Sequence, residues 1–160
     1  MLSGPSERAR ELFEQAYSAQ MNGDLDRAVE LYKGSLEILP TAEAHTFLGW
    51  TYRFQGRVWE AIEECKRAIQ VDPDLGNPYN DIGAYLIDLD RYDEAISWLE
   101  RATTAPRYDP RHYPYFNLGR VYFAKGQIRR ARGYFQQALQ IEPRYTAARQ
   151  AIENIRRMCN

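Results

Sequence analysis

The sequence is poor in cysteine and histidine, two of the side chains from which nucleophilic and metal sites are most often built. Its 160 residues include two cysteines, Cys65 and Cys159, and two histidines, His45 and His112. Two cysteines without metal-ligand spacing form no disulfide framework and no cysteine-rich metal centre, so a reducing, cytoplasmic setting is expected. No apolar run approaches the ~18 residues of a membrane-spanning helix, and no membrane partner is expected. The opening MLSGPSERAREL lacks the apolar stretch of a signal peptide, so none is expected there. A phosphate loop, a nucleophile elbow and a metal motif are all missing. The acidic residues, such as Glu63-Glu64 and the group Asp88, Asp90, Asp93 and Glu94, read as solvated helix faces and turns. No catalytic residue, metal ligand or cofactor is assigned, and a non-enzymatic chain is expected.

Basic charge is scarce in the first two thirds and acidic charge in the last third. Residues 1–106 carry 10 Lys+Arg against 19 Asp+Glu, a net −9, while residues 107–160 carry 11 against 3, a net +8. The near-neutral total of −1 therefore conceals a strongly dipolar chain, which bears on partners rather than on fold.

What the sequence has in quantity is repetition. Leu48-Gly49, Ile82-Gly83 and Leu118-Gly119 recur at spacings of 34 and 36, with Gln15-Ala16 a further 33 positions upstream. A small residue recurs in step at Ala28, Ala61, Ala95 and Ala131. A larger one follows four later at Tyr32, Cys65, Leu99 and Phe135, then a small one at Ser35, Ala68, Ala102 and Ala138. Pro40, Pro73 and Pro143 close units, and Pro110 closes the third one late. Each unit reads as two amphipathic helices joined by a turn: NGD, QGR, DLDR and KGQ. Glycine in such a turn suits the left-handed residue that ends a helix, and the third unit places Asp90 there. Gly49, Gly83 and Gly119 are different, because a glycine inside a helix costs ~1 kcal/mol relative to alanine. Set against Ala61, Ala95 and Ala131 on the second helix, they allow an antiparallel pair to approach closely.

On these residues the chain resembles the tetratricopeptide repeat family. The family signature runs aromatic, two residues, Leu-Gly, two residues, Tyr, then Ala, three residues, Phe, and finally Pro. The fourth unit carries it as Tyr115, Leu118, Gly119, Tyr122, Ala131, Phe135 and Pro143. The second unit has His45 and Cys65 in aromatic places, and the third has Tyr79, Ile82, Gly83, Leu86, Ala95 and Leu99. The first is the weakest match, with Leu12, Ala16, Ala19, Ala28, Tyr32 and Pro40. The resemblance implies an all-α, right-handed solenoid of four helix-turn-helix units over residues 9–41, 42–75, 76–111 and 112–145. Residues 146–158 add an amphipathic capping helix, with Ala148, Ala151, Ile152, Ile155 and Met158 inward and Arg149, Glu153, Asn154, Arg156 and Arg157 outward. Residues 1–8 are expected to fray. ATTAPRYDPRHYPY, residues 102–115, is two residues longer than the standard spacing. It is taken as a tolerated insertion in preference to a lip on one edge of the array.

A curved stack leaves a concave surface, and the resemblance implies that the first helices line it. By register, the candidate peptide-binding residues are Phe13 and Tyr17 in unit one, Phe47 and Trp50 in unit two, Asn77, Asn80 and Asp81 in unit three, and Tyr113, Phe116, Asn117 and Arg120 in unit four. The aromatics are not required by the repeat, and Phe47 is the one most expected to fill the core between repeats. Asparagine amides both donate and accept, so they can hold an extended backbone without reading its sequence. Family members that hold acidic chaperone tails use Lys, Asn, Asn, Lys and Arg on three first helices. The matching places here are Phe13, Tyr17, Phe47, Asn77 and Asp81, or Thr46, Trp50, Asp81, Tyr113 and Asn117. Neither set contains a cation, so an acidic-tail clamp is not expected.

The leading expectation is a protein-interaction module that holds a peptide or a partner helix. The second is self-association, with the acidic part of one copy docking on the basic part of another. The third, nucleic-acid binding through Arg129, Arg130, Arg132, Arg144, Arg149, Arg156 and Arg157, is disfavoured because the pI is only 6.2.

Overall fold

The structure is a computed structural model that describes residues 4–160. Nine helices follow one another among the described residues: α1 (Pro5–Met21), α2 (Leu25–Ile38), α3 (Ala42–Phe54), α4 (Val58–Val71), α5 (Asn77–Asp88), α6 (Tyr92–Thr104), α7 (His112–Ala124), α8 (Ile128–Ile141) and α9 (Thr146–Met158). The fraying expected for residues 1–8 does not extend to residues 5–8, which form the first turn of α1. Pro5 stands at a helix start, where a missing N–H is tolerated, and Ala9 is buried in the first pair. Residues 1–3 lie outside the described residues.

Local sequence explains where the helices stop. Gly23, Gly56 and Gly126 end α1, α3 and α7 with φ of 82°, 79° and 78°, and Asp90 takes the equivalent place after α5 at 57°. At each turn a later N–H folds back onto the last helical turn, as in Arg57 N to Tyr52 O at 2.8 Å and Arg91 N to Leu86 O at 2.9 Å. Asp24 and Thr41 cap α2 and α3 by accepting from the N–H groups of Arg27 and Ala44.

Helices pack in antiparallel pairs, α1 with α2 through α7 with α8, and each pair packs on the next. The first helices also touch along the stack, α1 to α3, α3 to α5 and α5 to α7, with no comparable contact joining α2 to α4, α4 to α6 or α6 to α8. The first helices thus form the inner row, as an all-α solenoid requires. One continuous core of Ala, Leu, Ile and aromatic side chains runs from Ala16 to Ile155. In the capping helix, Ala148 and Ile155 are buried, whereas Met158, expected to face inward, is 62% exposed because it sits in the last turn beyond α8.

Gly83 and Gly119 make room for a side chain more than for the facing alanine. A Cβ on Gly119 would fall 2.5 Å from the Phe135 ring, and one on Gly83 would fall 2.4 Å from Leu99. At Gly49 the obstacle is Ala61 O at 3.0 Å with Cys65 Sγ at 3.3 Å. The alanines let the backbones close up, and the glycines receive the larger residue four positions further on.

The lengthened junction after α6 is not a slack insertion. Gly76 N donates to Arg107 O at 2.8 Å and Arg107 N to Asp74 O at 3.0 Å, which pairs the segment with the turn ahead of α5. Arg107 also ion-pairs with Asp72, and Arg111 donates to the carbonyls of Thr103 and Ala105 at 2.8 and 2.9 Å. Tyr108 is buried with Tyr79, Ala102 and Ala105. Its ring occupies the space beside Gly76, where a Cβ would lie 1.9 Å from Tyr108 Cδ2. The expected tolerated insertion is instead a pinned lip.

Candidate functional site

Where α3, α5 and the start of α7 meet that lip, the inner face holds a pocket of about 310 Å3. Thr46, Phe47 and Trp50 come from α3, Asn77, Asn80 and Asp81 from α5, Tyr108 and Pro110 from the lip, and Tyr113 from α7. Helical spacing produces this convergence. Phe47 and Trp50 lie one turn apart on α3, as do Asn77 and Asn80 on α5, so both rows point along the same inner side.

Phe47 is the hub of the aromatic wall. Its ring lies 5.3 Å from Phe13, 5.8 Å from Tyr17 and 5.9 Å from Trp50, mostly edge to face. Phe13 is half-buried and also meets Tyr32 at 5.5 Å, so it braces Phe47 from behind and does not line the pocket. Tyr17 is 43% exposed and extends the aromatic surface toward the first unit. Trp50 is half-buried and Tyr113 is 40% exposed, so each offers ring surface to solvent.

The structure takes Phe116, Asn117 and Arg120 out of the pocket and buries Asn80 in its wall. Phe116 turns away and packs 5.4 Å from Phe135 and 5.1 Å from Tyr145, inside the fourth pair. Asn80 and Asn117, placed by register on the exposed face, are each only 7% exposed, because α5 and α7 approach closely enough for the two amides to meet. Asn117 Nδ2 donates to Asn80 Oδ1 at 3.0 Å, and Asn117 Oδ1 accepts from Arg120 Nη1 at 3.0 Å. Asn117 and Arg120 therefore hold two units together, Asn80 lines the pocket wall, and Asn77 keeps a half-buried amide without a hydrogen bond among the described residues.

Asp81 is the one charged residue lining the pocket. It forms no ion pair among the described residues, because the nearby Arg53 is held by Asp88 at 2.9 Å. Burial pushes the Asp81 carboxyl up to about 7, against the lowering effects of a hydrogen bond from Asn80 and the charge of Arg53.

Thr46, Tyr108 and Pro110 complete the walls without having been singled out as pocket residues. The signal for Tyr108 was an aromatic between two prolines, downstream of a glycine that has no place in a helix interior. Glu64, expected on a solvated face, is 5% exposed and meets His45 Nδ1 at 2.7 Å while also pairing with Arg67. This bridge ties α3 to α4. The adjacent Cys65 thiol is pushed up by burial, so it stays a neutral packing group.

Tetratricopeptide repeat models match residues 13–76 and 74–143, which together span most of the chain. The type IV pilus assembly protein PilF of Pseudomonas aeruginosa is 28% identical over 120 residues, covering 74% of this chain and 48% of its own length. The chain thus spans about half the length of that relative. The solved structure of Pseudomonas aeruginosa PilF superposes with a TM-score of 0.88 at 23% identity, over 96% of this chain and 69% of that one. A crystal structure of MamA superposes with a TM-score of 0.74 at 28% identity, over 88% of this chain and 81% of that one. With both halves matched and four helix pairs in phase, the chain belongs to the tetratricopeptide repeat family.

Proposed function

We propose that the chain is a non-enzymatic interaction module that holds a peptide segment or partner helix in the pocket between α3, α5 and the 105–111 lip. The observation that carries this reading is the convergence of Trp50, Tyr108 and Tyr113 with Asn77 and Asn80 on one concave surface. Apolar walls with a few placed polar groups are the usual make-up of a recognition site. Trp50 and Tyr113 leave ring surface open, and large rigid aromatics are the side chains that most often dominate binding energy. The similarity to a type IV pilus assembly protein supports a role among protein partners and leaves the partner of this chain open. The test is retention of a randomised nonapeptide library on wild type and on Trp50→Ala, with melting measured in parallel. Retention lost with melting unchanged supports the reading, and equal retention by both overturns it.

Self-association is the second reading, favoured by the −9 and +8 segments. The basic end keeps uncompensated charge on α8. Arg129 and Arg132 form no ion pair among the described residues, whereas Arg156 and Arg157 both turn to Glu153.

A further inference from the structure

Several rings of this protein already carry one of its own cations. Lys33 and Arg57 lie over Tyr52, Arg91 over Trp59, Arg101 over Tyr79 and Trp98, and Arg130 over Tyr122. The pocket differs from these sites. Trp50, Tyr108 and Tyr113 converge there with no internal cation over any of them among the described residues. They surround a carboxylate that has no ion pair, because Arg53, the cation that acts on Asp81, is engaged by Asp88. A half-buried carboxylate without an ion-pair partner is costly to ionise unless a cation arrives to pair with it. Aromatic faces around an acid form the arrangement that receives a long cationic side chain, the rings taking the stem and the charge.

We infer that the pocket selects a peptide segment carrying a lysine or arginine, whose cationic head seats on Asp81 while its stem lies among Trp50, Tyr108 and Tyr113. This rests on the groove reading above and adds its chemical preference. The same geometry rejects acidic anchors, because no cation lines the pocket and Asp81 faces its interior.

The pairing should be pH-dependent, and the groups around Asp81 leave it as the one that titrates near neutrality. From α3 it faces Arg53, whose pairing with Asp88 raises its pKa further and keeps it charged. Cys65 of α4, Tyr85 of its own helix and Tyr108 of the lip are all raised by burial, so they stay neutral between pH 6 and 8. His112, whose ring lies 4.2 Å from Tyr113, is lowered by burial and charges only in acid. With Asp81 at about 7, ionisation rises about tenfold from pH 6 to pH 8, and so should affinity for a cation.

The test uses N-acetylated, C-amidated nonapeptide libraries with randomised flanks and a fixed central Lys, Arg, Gln, norleucine or Glu. They are applied to wild type, Asp81→Asn and Trp50→Ala, with circular dichroism confirming each fold. The inference expects wild type to retain the Lys and Arg sets about tenfold better than the norleucine and Glu sets. It also expects that preference to collapse in Asp81→Asn. Should a variant fail to fold, wild type alone decides, since retention of the Lys set must rise about tenfold from pH 6 to pH 8 while the norleucine set stays level. Equal retention of Lys and norleucine on wild type overturns the cationic anchor and leaves the groove standing. Retention of every set equally by wild type and Trp50→Ala overturns both.

Discussion

Asn117 donates its side-chain amide to Asn80 Oδ1 at 3.0 Å, so a buried hydrogen bond joins α5 to α7 across the unit boundary. Arg120 extends it by donating to Asn117 Oδ1. The third and fourth units are joined at the inner face by this polar ladder, and the first and second by the aromatic cluster around Phe47. The pocket sits between these two kinds of joint.

Asn117→Ala should therefore act on stability and spare recognition. It leaves Asn80 Oδ1 and Arg120 without their partner, a loss expected to cost about 1–3 kcal/mol. Denaturant midpoint and peptide affinity, measured together, check this. Lost affinity at an unchanged midpoint would return Asn117 to the binding surface.

Gly119→Leu should destabilise more than Gly23→Ala. The first places a branched side chain where even a Cβ lies 2.5 Å from the Phe135 ring. The cost of such overpacking reaches about 3 kcal/mol. The second adds a methyl group to open space at a φ of 82°, a strain of about 1 kcal/mol. Equal midpoints in denaturant would contradict the packing argument.

Asp81 should make the fold weaker as pH rises. Its folded-state value of about 7 lies above the ordinary 3.8, so between these values the native state holds a proton that the unfolded chain releases. The contribution is full below pH ~4 and lost as pH climbs through 7. Asp81→Asn stays neutral and should melt above wild type at pH 8, with the gap closing toward pH 4. A gap independent of pH would place Asp81 in solvent.

If the acidic and basic segments meet between molecules, light scattering should show association that fades from about 10 mM to 150 mM salt, as the Debye length falls from ~30 to ~8 Å. A monomer at low salt and high concentration removes that reading.

The repeat was legible because its residues are dictated by packing within one helix pair. Gly119 and Phe135, or Gly83 and Leu99, must match wherever two such helices cross, so they recur at fixed spacing. The inner face was legible only as a register. Whether a register position is open depends on how closely neighbouring units approach, which local sequence does not encode. Asn80 and Asn117 are buried by that approach, and Phe116 is drawn inward by Phe135 and by Tyr145 at the junction with α9. Tyr108 was missed for a similar reason. Its place depends on the gap beside Gly76, over thirty residues earlier, and on backbone pairing that a length comparison does not reveal.

The most direct measurement is a chemical-shift map of the protein on titrating in the nonapeptide best retained by wild type. The account predicts the largest changes at Thr46, Trp50, Asn77, Asp81 and Tyr113, with the Asn77 side-chain amide among them and Trp59 on the exposed face of α4 unmoved. Changes centred on α8 and α9, with the α3 and α5 signals still, would contradict it.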